Sequence, residues 1–227
     1  MIRWMVGWVL LVAASADELS EAKKSFEKQD AALNKTYAEL KKGLAPYLFE
    51  KLQEEQREWI EHRDYLSDYF DERRETPEQK AEKWEIAAGL TESRVEWLNA
   101  WNRIGKREGW SGKYSDSRGG WLEIVEKDGK VHFALSVVRG PTFHLGDIRG
   151  ELRVNGGMAW FEVKEEGQDA PTWLTFVETN DGTGRIRVFG ANTQYFHGAR
   201  AYFEGSYLWL GELTDEEKRE VIEGEEK

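Results

Sequence analysis

The apolar residues of this 227-residue chain change period once, near Gly105, from steps of three and four to alternation. A helix returns a side chain to one face every 3.6 residues and a strand every two, so the two halves cannot share one kind of layer. The expectation is an α+β chain with helices first and strands second. Before the switch, Leu19, Ala22, Phe26, Leu33, Tyr37, Leu40 and Leu44 form one stripe. Leu48, Leu52, Trp59, Leu66 and Phe70 form a second, and Trp84, Ala87, Ala88, Val95, Leu98 and Trp101 a third. Gly43 followed by Pro46 ends the first helix and opens the next, since proline suits a first helical turn. Thr76-Pro77-Glu78-Gln79 has the residues of a helix start, with a cap, a first-turn proline and a returning Gln. Three amphipathic helices on short connections make an antiparallel three-helix bundle over residues 17–105.

Residues 106–213 read as an antiparallel β barrel or sandwich of seven to eight strands. Asp128-Gly129 between two alternating runs is the strongest hairpin signal in the chain. Further strands are expected over 147–154, 158–163, 172–178, 185–189 and 206–210, punctuated by Asn155-Gly156-Gly157 and Asp181-Gly182-Thr183-Gly184. Gly112-x-Tyr114 and Gly205-x-Tyr207 are candidates for a paired first and last strand. Residues 214–227 read as a short acidic helix with a fraying tail, started by Thr214 with Glu217 three residues on.

The net charge of −11 and the absence of a basic block exclude a phosphate-neutralising nucleic-acid surface. The chain has no cysteine, which removes disulfides, thiolate metal sites and cysteine nucleophiles. Residues 1–16 have the layout of a secretory leader. Arg3 precedes an apolar run too short to cross a bilayer core of about 30 Å, and Ala14-Ser15-Ala16 offers small residues for cleavage before Asp17. The mature chain is therefore expected to be periplasmic or secreted.

No catalytic motif is legible. The histidines His62, His132, His144 and His197 show no i,i+4 or HExxH frame, so no metal site and no cofactor is expected. His144, His197 and Arg200 fall in or near loops between strands, where they could meet at a barrel rim as a binding loop or, less favoured, a hydrolytic centre. The acidic and basic runs Asp71-Glu-Arg-Arg-Glu75 and Asp215-Glu-Glu217 read as solvated faces. Trp59, Trp84 and Trp101 fit helix cores. Trp121, Trp160, Trp173 and Trp209 fall on strands, where they fill a core or, if turned outward, serve as binding anchors.

The helical half carries an ordered pattern: Asp30-Ala-Ala-Leu33-Asn34-Lys-Thr-Tyr37, then Leu52-x3-Gln56-Arg57-x-Trp59-x3-Arg63-Asp64, then Thr91-x2-Arg94-x3-Leu98. This resembles the N-terminal domain of the LprI-type lysozyme inhibitors over residues 20–102. The resemblance implies an envelope protein, with lysozyme binding in part of the family. It also implies an inter-helix disulfide, which would contribute roughly 2–4 kcal/mol. Its two positions here hold Ser67 and Ile86, so packing of Trp84, Ile86 and Trp97 is expected to substitute. The β half resembles domains of related exported proteins. The pattern's polar residues Asp30, Asn34, Gln56, Arg63, Asp64 and Arg94 lie beside apolar stripes and must find partners. They are expected to form a network fixing helix register, with Arg63 or Arg94 forking onto Asp30 or Asp64; the other reading is a polar groove for a partner.

The leading expectation is a non-enzymatic envelope binding protein that could inhibit a basic lysozyme-like muramidase, steered by its own negative charge. A carrier using the barrel interior for a small ligand is the alternative.

Overall fold

Turn chemistry decides where each element begins. The computed structural model describes residues 16–69 and 76–224. Residues 1–15 of the leader, Phe70, the run 71–75 and residues 225–227 lie outside them. α1 spans Ala16–Gly43, α2 Pro46–Asp68 and α3 Pro77–Ala100. Pro46 sits in the first turn of α2. Thr76 and Gln79 close the expected box reciprocally: the Thr76 amide donates to Gln79 Oε1 at 3.2 Å and the Gln79 amide to Thr76 Oγ1 at 3.4 Å. Among the described residues, no helix is long and apolar enough to cross a membrane.

The structure divides into two compact units between Val95 and Glu96, inside α3. In the first unit the three helices pack pairwise. Tyr37 meets Phe49 (ring centroids 5.3 Å apart), Phe26 meets Trp84 (5.2 Å), and Lys83 pairs with Asp68 at 2.7 Å. Residues ascending α1 therefore meet residues descending α2, the antiparallel order that a two-residue connection imposes. Leu33, Leu40, Leu48, Leu52 and Trp59 supply the buried seam, and Ala81, Ala87 and Ala88 let α3 approach it closely. At the two positions where the family resemblance implies cysteine, Ser67 is buried and donates to the Asp64 carbonyl at 3.2 Å, and Ile86 is half-buried. Trp97, expected to help replace the disulfide, falls in the second unit, where its Nε1 donates to the Ser115 carbonyl at 3.1 Å.

The second unit is a closed eight-stranded antiparallel barrel in sequence order. Its strands are β1 (Gly112–Ser115), β2 (Gly120–Lys127), β3 (Lys130–Arg139), β4 (His144–Asn155), β5 (Met158–Val163), β6 (Thr172–Glu178), β7 (Ile186–Ala191) and β8 (Gly205–Gly211). The Asp128-Gly129 turn has positive φ at both residues (52° and 76°), the twist a two-residue hairpin needs. β1 pairs with β8, Tyr114 opposite Trp209, so the two Gly-x-Tyr strands do meet and close the sheet. Closure leaves no edge to be guarded. β4 begins at His144, earlier than the alternation indicates, because Arg139 opposite His144 extends the β3 ladder.

The barrel is filled by its own side chains. Leu122, Ile124, Phe133, Leu135, Leu174, Phe176 and Phe203 are fully buried, and Phe133 lies edge-on to Phe161 and Phe176 at 5.0 and 5.2 Å. These rings occupy the axis that a carried ligand would need. Of the strand tryptophans, Trp209 is buried and Trp121 half-buried, whereas half-buried Trp160 and exposed Trp173 lie on the outer face of adjacent strands, alternating with buried Ala159 and Leu174.

Over its described residues, 214–224, the acidic tail is a docked helix. α4 (Asp215–Glu223) starts with a complete capping box, the Thr214 hydroxyl accepting from the Glu217 amide while Glu217 accepts from the Thr214 amide at 2.7 Å. Its Val221 and Ile222 cover Val125 and Ala134 on the outside of β2 and β3. Thr214→Ala should therefore cost the helix about 1 kcal/mol. Faster amide exchange confined to 215–223 would be the readout, and an unchanged α4 would count against the cap.

Candidate binding groove and barrel staples

The pattern residues of α1 and α2 converge. Asp30, Leu33, Asn34 and Tyr37 from α1 face Gln53, Gln56, Arg57, Ile60 and Arg63 from α2 across a groove of about 310 Å³. Spacings of three, four and seven put each set on one helix face. Asn34 Nδ2 donates to Asp30 Oδ2 at 2.9 Å. Arg63 reaches Asp30 at 3.6 Å and places both Nε (2.9 Å) and Nη2 (2.8 Å) on Asp64 Oδ1. Behind the groove, buried Arg94 of α3 donates from Nε to Gln56 Oε1 at 3.0 Å. Trp59, 1% exposed, meets both guanidiniums, with Arg63 at 5.4 Å and Arg94 at 5.3 Å from its ring centroid.

All six pattern residues thus belong to one assembly with Trp59 at its centre. Arg63 takes both aspartates; Arg94 takes Gln56 instead. Thr91, one turn before Arg94, is buried and returns its hydroxyl to the Ala87 carbonyl at 2.6 Å, which lets a polar residue lie in the core. The wall of the groove is fixed by this network, while its rim of Asn34, Gln53, Arg57 and Ile60 is exposed. Burial, opposed by nearby Arg57, raises the Tyr37 phenol above its ordinary range, so Tyr37 presents a hydroxyl donor. The groove can offer amide, guanidinium and phenol groups around an apolar floor.

In the barrel, His197 forms a bridge with Gly146, and the Gly198 amide donates to the Leu145 carbonyl at 2.8 Å, so residues 144–146 and 197–198 do lie together. His197 Nδ1 is 2.9 Å from the Gly198 carbonyl and Nε2 is 3.0 Å from Thr193 Oγ1. A carbonyl only accepts, so Nδ1 carries the proton and Nε2 accepts from the Thr193 hydroxyl. With its ring also set edge-on to Phe203 at 5.3 Å, His197 serves the turn. His144 is half-buried at the start of β4, and Arg200 is exposed.

Two clusters escape the sequence patterns. Arg139 Nη1 pairs with Asp116 Oδ2 at 2.7 Å, both side chains being nearly inaccessible (3% and 8%). Arg139 also donates to the Arg118 carbonyl at 2.7 Å and stacks 4.5 Å from the Tyr202 ring centroid. It lies within 3.4 Å of the Tyr207 hydroxyl, which donates to the Phe203 carbonyl at 2.8 Å. Tyr114 repeats the design, donating to the Trp110 carbonyl at 2.6 Å, accepting from Arg107 at 3.2 Å, with Arg107 paired to Glu178. Burial pushes the Tyr114 phenol up to about 12 and the Tyr207 phenol well above its usual value. Each Gly-x-Tyr strand therefore carries a tyrosine–arginine–carboxylate staple that returns to the carbonyl four residues back. The repeated motif was the one available signal; Arg107 is seven residues from its tyrosine, but Glu178, and Arg139 with Asp116, come from far along the chain. Both staples are neutral overall and fully engaged, so they hold the barrel.

Neither the curated proteins nor the solved structures contain a match to this chain. Over residues 13–98, which take in the whole groove and its supporting network, the chain is similar to the family described as lysozyme inhibitor LprI.

Proposed function

We propose that this chain is a non-catalytic binding protein that takes a basic lysozyme-like muramidase on the α1–α2 groove, outside the cytoplasm. The observation that carries the reading is convergence. The residues of the family-like pattern meet at one groove whose wall is already fixed, so little order remains to be imposed on binding. The family description supports the partner class, and the net charge of −11 favours encounter with a cationic protein. The rim supplies what an interface centre uses, an apolar Ile60 beside the Arg57 guanidinium and the Tyr37 hydroxyl.

The test is binding and inhibition of a basic lysozyme by the full chain, with Ile60→Asp, which removes the apolar contact, and Gln53→Lys, which sets a like charge against a cationic partner, as variants. Both residues are exposed, so folding should be untouched. Each substitution should weaken binding by about tenfold or more, a loss of roughly 1.4 kcal/mol. Absence of binding by the unaltered protein at micromolar concentration removes the proposal, and equal binding by both variants removes the groove from it.

A further inference from the structure

Beneath α4 the barrel carries a row of side chains that the binding reading leaves unused. Strand register sets Lys113, Glu123, Ala134 and Arg149 side by side across β1, β2, β3 and β4. The row lies on the outer surface, since neighbours Leu122 and Ile124 point into the core and Val125, on the same side as Glu123, is covered by α4. α4 lies on this ground. Lys113 Nζ holds Glu217 at 2.5 Å, and Gly224 at the end of α4 is close enough that a Cβ there would stand 3.3 Å from Arg149 Nη1. A shift in the β1–β8 register between Lys113 and Tyr114 marks the point where Lys113 is turned out towards the helix.

Glu123 is faced by Lys113 from β1, by Arg149 from β4, and by Glu217 and Glu220 from α4, while β3 sets Ala134 opposite it and His132 next along the same face, opposite Val125. Arg149 is further shared with Asp147 at 3.7 Å. Glu123 thus lies among two carboxylates and two cations, beside the apolar anchor that Leu213, Val221 and Ile222 make with the sheet. We propose that α4 is a pH-sensitive latch, seated on this row while Glu123 keeps its proton and loosened once Glu123 is charged beside Glu217 and Glu220.

Burial first, then the charge of Glu217, pushes the Glu123 carboxyl from 4.5 up to about 7, against the pull of Lys113. Glu217 moves the other way. Burial would raise it, but hydrogen bonds from Lys113 and Thr214 hold it below the ordinary carboxylate range, so it is already ionised when Glu123 titrates. A carboxyl raised on docking favours the docked state at low pH. That preference is complete below about pH 4.5, declines as pH climbs and is gone above about pH 7.

The experiment is amide exchange of residues 215–223 in the full chain at pH 5 and pH 8, expressed as protection after correction for intrinsic exchange. Protection of α4 should fall roughly 10- to 100-fold between these pH values, since each pH unit of displacement is worth tenfold, while amides of β3 hold steady. Glu123→Gln should abolish the fall and keep α4 protected at both pH values. Glu220→Gln, which removes one repelling charge, should reduce it. Equal protection of the unaltered protein at pH 5 and 8, or an undiminished fall in Glu123→Gln, overturns the latch.

Discussion

Asp116→Ala should lower the stability of the barrel by about 3–5 kcal/mol, the cost of leaving one partner of a buried ion pair alone. The Arg139 guanidinium would keep the Arg118 and Tyr202 carbonyls and the Tyr202 ring but lose its counter-charge at 3% exposure. The substitution also frees the Arg118 and Gly120 amides, each of which donates to Asp116 Oδ1 at 2.8 Å. Asp116→Asn keeps an acceptor for those amides and removes only the charge, so its loss should be smaller. Tyr207→Phe deletes the hydroxyl that donates to Phe203 and should cost about 1–2 kcal/mol. Urea unfolding followed by tryptophan fluorescence gives all three values. A loss below 1 kcal/mol for Asp116→Ala would show that the arginine finds water or another partner, and the staple would then be ornamental.

Trp59→Ala should be nearly as damaging to the helical unit, again about 3–5 kcal/mol. The indole fills the centre of the bundle at 1% exposure. Its ring also accepts Arg63 and Arg94, contacts worth roughly 0.5–2 kcal/mol each in a dry setting. Removing it deprives both guanidiniums of their platform and loosens Gln56 and Asp30 with them. The adjacent Ile60→Asp, on the exposed rim, should change stability by no more than about 0.5 kcal/mol. Far-UV circular dichroism melts compare the two directly. If alanine at 59 melts like the rim variant, the network does not depend on the ring.

The bundle was largely legible because its stripes, caps and connections are local. Thr76–Gln79 and Pro46 sit where their chemistry demands, and two residues of the family-like pattern, Arg63 and Arg94, both reach the Trp59 ring. Which arginine takes which acid was not legible. That choice depends on helix rotation, and Arg94 is turned towards Gln56 rather than either aspartate. In the β half, alternation and turn residues gave the strands and the closing pair. Barrel and sandwich stayed undivided because closure is a long-range register, Tyr114 opposite Trp209, with no local signature. The Asp116–Arg139 and Arg107–Glu178 pairs are hidden for the same reason, since their members lie 23 and 71 positions apart. His144 and His197 did come from one neighbourhood, and only the hydrogen-bond directions assign His197 to the turn.

The β1–β8 ladder means that the polypeptide enters and leaves the barrel at one seam, Lys113 beside Gly211. A ring of strands joined this way has no privileged starting point. New ends opened at an exposed hairpin tip such as Gly156–Gly157, with the old ones tied together, would preserve every ladder. Trimming either seam strand is another matter: it converts an unbroken cylinder into a curved sheet with two raw margins, each free to recruit a neighbouring molecule.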